Sequence, residues 1–204
     1  MLLQIPTRIE TERLYMRPYQ AGDGAMYYAV GQRNRAHLGL YESGNVLNHL
    51  KDEQQAEIVV RELSVDWMAR KHFFLGIFEK ETHQWVGQIY IGPTNWHLPE
   101  FSIGYLVDVD HQGKGYITEA VKVALCFIFE HLQANRVRSD CNDSNERSYR
   151  VLERCGFTRE GHFRENKKNP DGTFHGDYQY GLLKSEFESI NCISLNSQSA
   201  DRAE

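Results

Sequence analysis

The sequence carries no excess of positive charge. Lysine and arginine total 23 residues against 28 aspartates and glutamates, which gives a formal net charge of −5 at pH 7. A protein that binds nucleic acid generally needs a basic face to neutralise the phosphates. The charge balance therefore argues against direct nucleic-acid binding, and it is compatible with a cationic acceptor.

Long hydrophobic runs are also missing. No apolar run reaches the roughly 18 residues that a membrane-spanning helix requires, and the N-terminus has no signal-peptide pattern. Hydrophobic residues still make up 41% of the 204 residues, which is enough for a sizeable core. We expect a cytoplasmic protein without a membrane partner. We expect one domain over residues 1–187, followed by a flexible tail at 188–204, where the sequence is polar and aperiodic.

Spacings typical of metal sites and redox motifs are absent as well. The four cysteines, Cys126, Cys141, Cys155 and Cys192, include no Cys-x-x-Cys pair. The nine histidines include no His-x-x-x-His pair. These spacings predict reduced thiols and no metal site.

Hydrophobic periodicity predicts a mixture of strands and helices. Strand patterns fall at 11–18, 72–80, 84–92, 101–109 and 136–141. Helical patterns fall at 23–32, 56–67, 118–132 and 145–154. Asp143 or Ser144 is expected to cap the last helix and Gly156 to end it. Two further strands follow Phe157, separated by a turn at 169–172. The order β-α-α-β-β-β-α-β-α-β-β predicts an α/β fold with a mixed sheet.

Two glycines stand directly before the long apolar helix. Gly113 and Gly115 flank Lys114, and glycine costs up to about 1 kcal/mol relative to alanine inside a helix. Their position therefore favours a backbone that a ligand approaches closely. The spacing fits neither the P-loop nor a complete Gly-x-Gly-x-x-Gly fingerprint. The remaining interpretation is an anion-binding site at the N-terminus of the helix. The alternative is a glycine-rich start of the helix that binds no ligand. The first-turn N–H donors would belong to Tyr116, Ile117 and Thr118.

Three separated motifs resemble those of the GNAT acetyltransferases, in the same order along the chain. The run Gln112-Gly113-Lys114-Gly115-Tyr116 resembles the acetyl-CoA signature Gln/Arg-x-x-Gly-x-Gly/Ala, with isoleucine at its final small position. Downstream, residues 145–148 and 156–157 resemble the Asn-x-x-Ser/Ala and Gly-Phe motifs. Upstream, residues 11–23 resemble the start of the ribosomal-protein N-terminal acetyltransferase branch. The resemblance covers about residues 9–187.

This resemblance implies both a fold and a cosubstrate. The fold would be a mixed, mostly antiparallel sheet of about seven strands, splayed between the fourth and fifth, with helices on both faces. Acetyl-CoA would place its pyrophosphate on the glycine loop and its arm in the splay, where an N–H near Leu106 or Val107 would support an oxyanion. Asn145 would contact the arm, the alternative being a polar residue beside the helix cap. The implied cofactor-binding residues are Leu106, Val107, Gln112, Gly113, Lys114, Gly115, Tyr116, Ile117, Thr118 and Asn145.

Two candidate catalytic residues also follow from the resemblance. Many relatives protonate the departing thiolate with a tyrosine, but this chain has Leu152 at that position. Ser148 lies one turn earlier on the same helix face and would assist the departure of the thiolate sulfur. The alternative is that Ser148 is only a small residue that leaves room for the cosubstrate. Relatives often carry a glutamate where this chain has Ser102. Glu160 is then the candidate base, acting through water, unless it is a solvated strand carboxylate.

The missing carboxylate favours an acceptor amine that loses its proton easily. An α-amine with a pKa near 8 costs about 1.4 kcal/mol to deprotonate at pH 7, whereas a lysine with a pKa near 10.4 costs about 4.6 kcal/mol. We therefore expect an acetyl-CoA-dependent N-acetyltransferase for protein N-terminal α-amines, with a ribosomal-protein N-terminus as the acceptor that the resemblance implies. Acetylation of a polyamine or aminoglycoside is one alternative, and a non-catalytic acetyl-CoA-binding module is another. The sequence leaves the oligomeric state open, a homodimer included.

Overall fold

The structure, a computed structural model, describes residues 4–42, 44–169 and 171–187. Its strands are β1 (Ile9–Glu10), β2 (Leu14–Pro18), β3 (Phe73–Glu79), β4 (Trp85–Asn95), β5 (Glu100–Val107), β6 (Arg136–Asn142), β7 (Thr158–Lys168) and β8 (Phe174–Leu183). Its helices are α1 (Gly24–Tyr41), α2 (Glu53–Met68), α3 (Tyr116–Cys126), α4 (Glu146–Arg154) and α5 (Lys184–Phe187). Short 3-10 turns cover Val46–His49 and Val109–His111, and a π-helical turn over Phe127–His131 continues α3.

The strands described form one sheet in the order β1-β2-β3-β4-β5-β6-β8-β7. Every neighbouring pair is antiparallel except β5 and β6, which run parallel. The predicted mixed, mostly antiparallel sheet is therefore confirmed. The sheet has eight strands where about seven were expected. The additional strand, β1, is only two residues long, which is too short to produce an alternating pattern in the sequence.

β5 and β6 separate along their length. Their pairing covers only Glu100–Ser102 against Arg136–Arg138, although both strands continue beyond these residues. Just past the paired segment, Ser139 Oγ donates a hydrogen bond of 2.8 Å to Ile103 O. A gap then opens between the two strands. Because β1 is an additional strand, β5 and β6 are the expected fourth and fifth strands, so the gap lies where the splay was predicted. It leaves backbone groups of β5 available to a ligand.

Buried apolar side chains form two clusters, one on each face of the sheet. Met16 and Ile77 belong to the first cluster, while their chain neighbours Tyr15 and Phe78 belong to the second. Successive strand residues point to opposite faces, so the two clusters lie on opposite sides of the sheet. The first cluster contains the buried residues of α3, and the second contains those of α1 and of the first half of α2. The predicted helices on both faces are thus present.

The first helix is longer than its sequence indicates. The pattern predicts a helix over 23–32, whereas α1 extends from Gly24 to Tyr41. Gly31 lies inside it, and a Cβ at this position would be 2.8 Å from Leu47 O. The backbone of the turn at Val46–His49 packs against this glycine, so a tertiary contact supports a helix that glycine propensity alone disfavours.

The other long helices follow the predicted segments. α2 contains the predicted 56–67 helix and begins one turn earlier, where Asp52 caps it by accepting a 2.7 Å hydrogen bond from Gln55 N. α3 and its π-helical continuation span the predicted 118–132 region, and most of their side chains are buried. The apolar composition of this segment is therefore explained by its place in the core.

The N-cap of α4 differs from the prediction. Asn145 is the capping residue, rather than Asp143 or Ser144, because its side-chain oxygen accepts a 3.2 Å hydrogen bond from Ser148 N. The C-terminal end agrees with the prediction, since Gly156 has a φ of +89° just after the helix.

Cys126, Cys141 and Cys155 are buried, and no disulfide joins any of them to another. Cys192 and the predicted tail at 188–204 lie outside the described residues. In the part of the chain that the structure describes, no helix is both long and apolar enough to cross a membrane.

Candidate active site

The glycine loop has a backbone that only glycine adopts without strain. Gly113 and Gly115 have φ values of +77° and +78°, and a Cβ at Gly113 would have no heavy atom within 4 Å. Gly115 is the N-cap of α3, which begins at Tyr116. The first N–H groups of a helix have no partner within the helix, and they carry the positive end of its dipole. This loop can therefore hold an anion.

The side chain of Arg13 binds the backbone of the glycine loop. Its Nη1 donates a 3.0 Å hydrogen bond to Lys114 O, and its Nε donates a 2.8 Å hydrogen bond to Glu119 Oε2. The C=O and N–H of a trans peptide point in opposite directions. Holding Lys114 O therefore directs the N–H of Gly115 away from Arg13, where a ligand can reach it.

The same contact explains the Thr-Glu-Arg-Leu motif at 11–14. Thr11 Oγ1 donates a 2.5 Å hydrogen bond to Glu119 Oε1, so both Thr11 and Arg13 bind one carboxylate on α3. Burial raises the pKa of Glu119, but hydrogen bonds from Thr11 and Arg13 outweigh it and hold the pKa below its usual range. The carboxylate therefore stays charged, and it fixes the N-terminal strand to the glycine loop.

A groove of about 830 Å³, here called the loop groove, runs from the glycine loop to α4. The residues of the sequence prediction that line it are Leu106, Val107, Gln112, Gly113, Gly115, Tyr116, Ile117, Thr118, Asn145 and Ser148. Lys114 is not among the lining residues, and its backbone carbonyl is the group that Arg13 binds. The structure thus brings most of the predicted residues into one groove.

Three arginines of α4 also line the loop groove, and the sequence analysis did not single them out. They are Arg147, Arg150 and Arg154. Their spacing, three and then four residues, places them on one helix face and was a signal available in the sequence. Arg147 Nη1 also donates a 2.6 Å hydrogen bond to Gln112 Oε1, which links α4 to the loop. Arg150 is ion-paired with Glu146, which lines the same groove, so Arg147 and Arg154 supply the positive charge on this wall.

A second groove of about 570 Å³, here called the splay groove, lies in the gap between β5 and β6. Its walls include residues 102–106 of β5 and residues 139–142 of β6. Both grooves share six lining residues: Tyr41, Glu42, Tyr105, Leu106, Asn145 and Ser148. The two grooves therefore meet at the splay.

Alternate residues of β5 direct their backbone N–H and C=O groups toward the gap. Asp108 N donates to Val86 O on β4, whereas Ile103 O accepts from Ser139 on β6. Successive residues of a strand direct their backbone groups to opposite sides. The N–H of Val107 therefore faces the gap, and the N–H of Leu106 faces β4. Of the two N–H groups considered from the sequence, only that of Val107 is placed to donate to a ligand in the splay.

Ser148 and Tyr105 form a hydrogen-bonded pair where the grooves meet. Tyr105 Oη donates a 2.8 Å hydrogen bond to Ser148 O and lies 3.1 Å from Ser148 Oγ. Burial raises the pKa of Tyr105 far above its usual range, so the phenol stays protonated. Tyr105 was not identified from the sequence, because its strand alternation marks it only as one face of β5.

Glu160 is not placed at either groove. It lines neither of them, and it forms a bidentate ion pair with Arg136 that includes a 2.8 Å hydrogen bond from Nη1. Hydrogen bonds from Arg136 lower the pKa of Glu160, which makes it a weaker base. The ion pair joins β6 to β7 across Gly181 of β8, the strand between them. It accounts for this carboxylate, and we do not propose Glu160 as the base.

The splay groove also contains a thiol, that of Cys141. Burial raises its pKa to about 12, so it is neutral near pH 7 and a poor nucleophile. The described residues hold no group of three or more His, Cys, Asp or Glu side chains suited to a metal ion.

Both the sequence and the fold have known relatives. Residues 13–158 match the sequence profile of the acetyltransferase (GNAT) domain. The chain belongs to the GNAT acetyltransferase family. This acetyltransferase is 26% identical to YjcK of Bacillus subtilis (strain 168), which carries the name probable N-acetyltransferase, over 161 residues that cover 78% of this chain and 88% of YjcK. It is accordingly a GNAT N-acetyltransferase.

Solved structures share the fold of this acetyltransferase at low sequence identity. The ribosomal-protein-S5-alanine acetyltransferase from Vibrio fischeri superposes with a TM-score of 0.79 at 20% identity, over 89% of this chain and 99% of that one. Mycobacterium smegmatis RimJ, solved in complex with CoA-disulfide, gives a TM-score of 0.75 at 23% identity, over 85% of this chain and 83% of that one. At these identities the likeness shows the shared fold.

Proposed function

We propose that this acetyltransferase transfers the acetyl group of acetyl-CoA directly to the N-terminal α-amine of a protein. The observation that carries the proposal is the meeting of the two grooves at the splay. The loop groove would hold the cosubstrate and the splay groove the acceptor, so that thioester and amine meet beside Ser148 and Tyr105. The RimJ relative, solved with a CoA-disulfide, supports the choice of cosubstrate.

The glycine loop fits a pyrophosphate by its geometry and its charge. Gly113 and Gly115 leave the backbone open, and the first amides of α3 would donate to phosphate oxygens. Arg147 and Arg154 would add positive charge, whereas the charge of Arg150 is offset by Glu146. The predicted contact between Asn145 and the cosubstrate arm is retained, because Asn145 lines both grooves while its oxygen also caps α4.

The splay supplies two of the groups that thioester aminolysis needs. Val107 N–H would donate a hydrogen bond to the carbonyl oxygen as negative charge develops on it. Tyr105 Oη donates its hydrogen bond to Ser148 O, so the hydroxyl hydrogen of Ser148 would be able to turn toward the departing sulfur. The neutral thiol of Cys141 favours direct attack by the amine over an acetyl-cysteine intermediate.

An α-amine is the acceptor that this site suits best. Ser102 occupies the strand position of the usual carboxylate and Glu160 lines neither groove, so neither predicted position supplies a base. An α-amine, which is already partly neutral at pH 7, makes a smaller demand than lysine on any other carboxylate of the groove. The alanine acetyltransferase among the structural relatives acts, by its name, on ribosomal protein S5. A ribosomal-protein N-terminus is therefore the proposed acceptor.

Steady-state assays of thiol release test this proposal. We expect turnover with peptides that begin with serine or alanine and contain an internal lysine. The same peptides with an acetylated N-terminus serve as the matched control and should give no turnover, since only the α-amine is removed. Faster reaction with spermidine or an aminoglycoside would reassign the acceptor to small amines. Acetyl-CoA binding without transfer to any amine would indicate a binding module.

Replacing Ser148 with alanine is expected to lower kcat by about tenfold while the KM for acetyl-CoA changes less than about twofold. A hydrogen bond to a charged group contributes about 1.5 kcal/mol, and about 1.4 kcal/mol corresponds to a tenfold change in rate. Ser64→Ala, at a serine of α2 that lines neither groove, is the control. An unchanged kcat in Ser148→Ala would reduce Ser148 to a residue that clears space.

A further inference from the structure

Three carboxylates line the splay groove, and two of them are already paired with a cation. Asp177 is buried and lies 2.8 Å from Lys167 Nζ, and it also accepts a 3.1 Å hydrogen bond from Asn166 Nδ2. Asp140 lies 3.6 Å from the same ammonium group, with 58% of its side chain exposed. One cation therefore serves both aspartates, so the three groups together keep a net negative charge on this side of the groove.

Glu42 is the third carboxylate, and its position is different. It is the C-cap residue of α1, held by a 2.7 Å hydrogen bond from its backbone N–H to Leu38 O. Its side chain accepts a 2.8 Å hydrogen bond from Asn45 Nδ2, a neutral donor. Among the residues that the structure describes, Glu42 forms no ion pair within 4.0 Å.

Glu42 also stands where the two grooves meet. It lines both of them, together with Ser148 and Tyr105, so it borders the place where thioester and amine would come together. An amine acceptor reaches this place mainly as an ammonium ion at pH 7. An unpaired carboxylate there is complementary in charge to the acceptor, and it has an oxygen free to accept a proton.

The surroundings of Glu42 also favour the neutral form of its carboxyl group. The protein wall around it disfavours charge and raises its pKa, and the nearby Asp140 acts in the same direction. Hydrogen bonding from Asn45 and the charge of Lys167 act in the opposite direction without cancelling the rise. The residue as a whole remains exposed at the groove mouth, so solvent can carry the proton away.

We propose that Glu42 binds the acceptor ammonium and is the general base of the reaction. This proposal rests on the proposed function. Glu42 takes one proton from the ammonium and leaves a neutral amine, which forms the C–N bond at the thioester carbonyl. The C–S bond then breaks, and the second proton of the nitrogen passes to the thiolate by way of Ser148. Glu42 returns its proton to solvent, so the reaction yields an amide, a free thiol and one proton.

The pH dependence of Glu42→Gln tests the proposal. The probe is an alanine-initiated tetrapeptide, with kcat/KM measured from pH 6 to pH 9. At pH 7 roughly one α-amine in ten is neutral, so we expect about a tenfold loss in kcat/KM, and the loss should disappear near pH 9, where the amine has lost its own proton. Binding of acetyl-CoA, measured by calorimetry, should be no weaker than in the wild type.

Two further variants separate chemistry from structure. Glu62→Gln, on the exposed face of α2, removes a carboxylate outside both grooves and should leave the pH profile unchanged. Glu42→Asp should restore part of the activity at pH 7, because it keeps the carboxylate. A Glu42→Gln profile parallel to that of the wild type would overturn the role of Glu42 while leaving the proposed function intact. Failure of the wild type to acetylate any amine would instead overturn the proposed function.

Discussion

Replacing Gly113 with glutamate is expected to weaken acetyl-CoA binding about a hundredfold. A Cβ at this position enters open space beside the loop groove, so the new carboxylate would stand close to the proposed pyrophosphate site. Two unit charges roughly 6 Å apart repel by about 3 kcal/mol at an effective dielectric constant of about 20, and about 1.4 kcal/mol is a tenfold change in affinity. Calorimetric titration with acetyl-CoA measures the change, and higher salt should reduce it.

Two control variants separate charge from backbone strain in this experiment. Gly172→Glu makes the same substitution at a glycine with a φ of +91° that also has open space around its Cβ position and lines neither groove. It should bind acetyl-CoA like the wild type. Gly113→Ala keeps the positive-φ strain without the charge and should weaken binding far less than glutamate does. Wild-type affinity in Gly113→Glu would remove the glycine loop from the cosubstrate site.

Replacing Asp108 with alanine is expected to cost about 3 kcal/mol of folding free energy. Asp108 is fully buried, directly before the turn that leads to the glycine loop. Arg33 binds it with two hydrogen bonds of 2.9 and 2.7 Å, and Asn34 Nδ2 and His111 Nδ1 lie 3.0 Å from its oxygens. Breaking a buried ion pair costs about 3–5 kcal/mol, and the partial exposure of Arg33 favours the lower end.

Thermal unfolding measures this loss. A destabilisation of about 3 kcal/mol corresponds to a fall in Tm of about 6–12 °C for a domain of this size. Asp110→Ala is the matched control, because Asp110 lies 3.4 Å from the same Arg33 but has 66% of its side chain exposed. Exposed ion pairs contribute less than about 1 kcal/mol, so this control should unfold close to the wild type. Equal Tm values for the two variants would contradict the role of the buried carboxylate.

The difference in folding stability between the wild type and Asp108→Ala should also depend on pH, in a direction that the pKa of Asp108 determines. Burial raises the pKa of Asp108, but hydrogen bonds from Arg33, Asn34 and His111 outweigh it and hold the pKa below its usual range. A carboxyl group with a depressed pKa in the folded state stabilises the fold above its unfolded pKa, and this contribution is lost as the pH falls through the folded pKa. The stability difference between the wild type and Asp108→Ala should therefore be complete at pH 7 and shrink below about pH 4.

Local sequence rules predicted the elements that depend on neighbouring residues. Runs rich in β-branched and aromatic residues predicted β3, β4 and β5, and a 3.6-residue pattern predicted α2. Gly156 was correctly predicted as the end of α4, because a left-handed backbone is a local requirement. The extent of α1 was not predictable in this way, since Gly31 is compensated by the backbone near Leu47, sixteen positions further along the chain.

The residues of the candidate site also fall into two groups, those predictable from contiguous sequence and those that only tertiary contacts bring together. The glycine loop and the Asn145 to Ser148 motif are contiguous runs, so the sequence alone predicted them. Glu42 joins Ser148 only because α1 ends beside the splay, and no spacing in the sequence relates the two residues. The partner of Glu160 was equally invisible, because Arg136 lies 24 positions away.

The sequence by itself determined the fold class, the family and the position of the glycine loop, because each is written in short contiguous patterns that local backbone chemistry requires. Only the tertiary structure decided which carboxylates are neutralised, which N–H of β5 faces the gap, and which residues of α1 border the splay. Those features depend on distances between segments that are remote in the chain. Burial, charge pairing and hydrogen-bond direction exist only once the sheet and its two helical layers have packed.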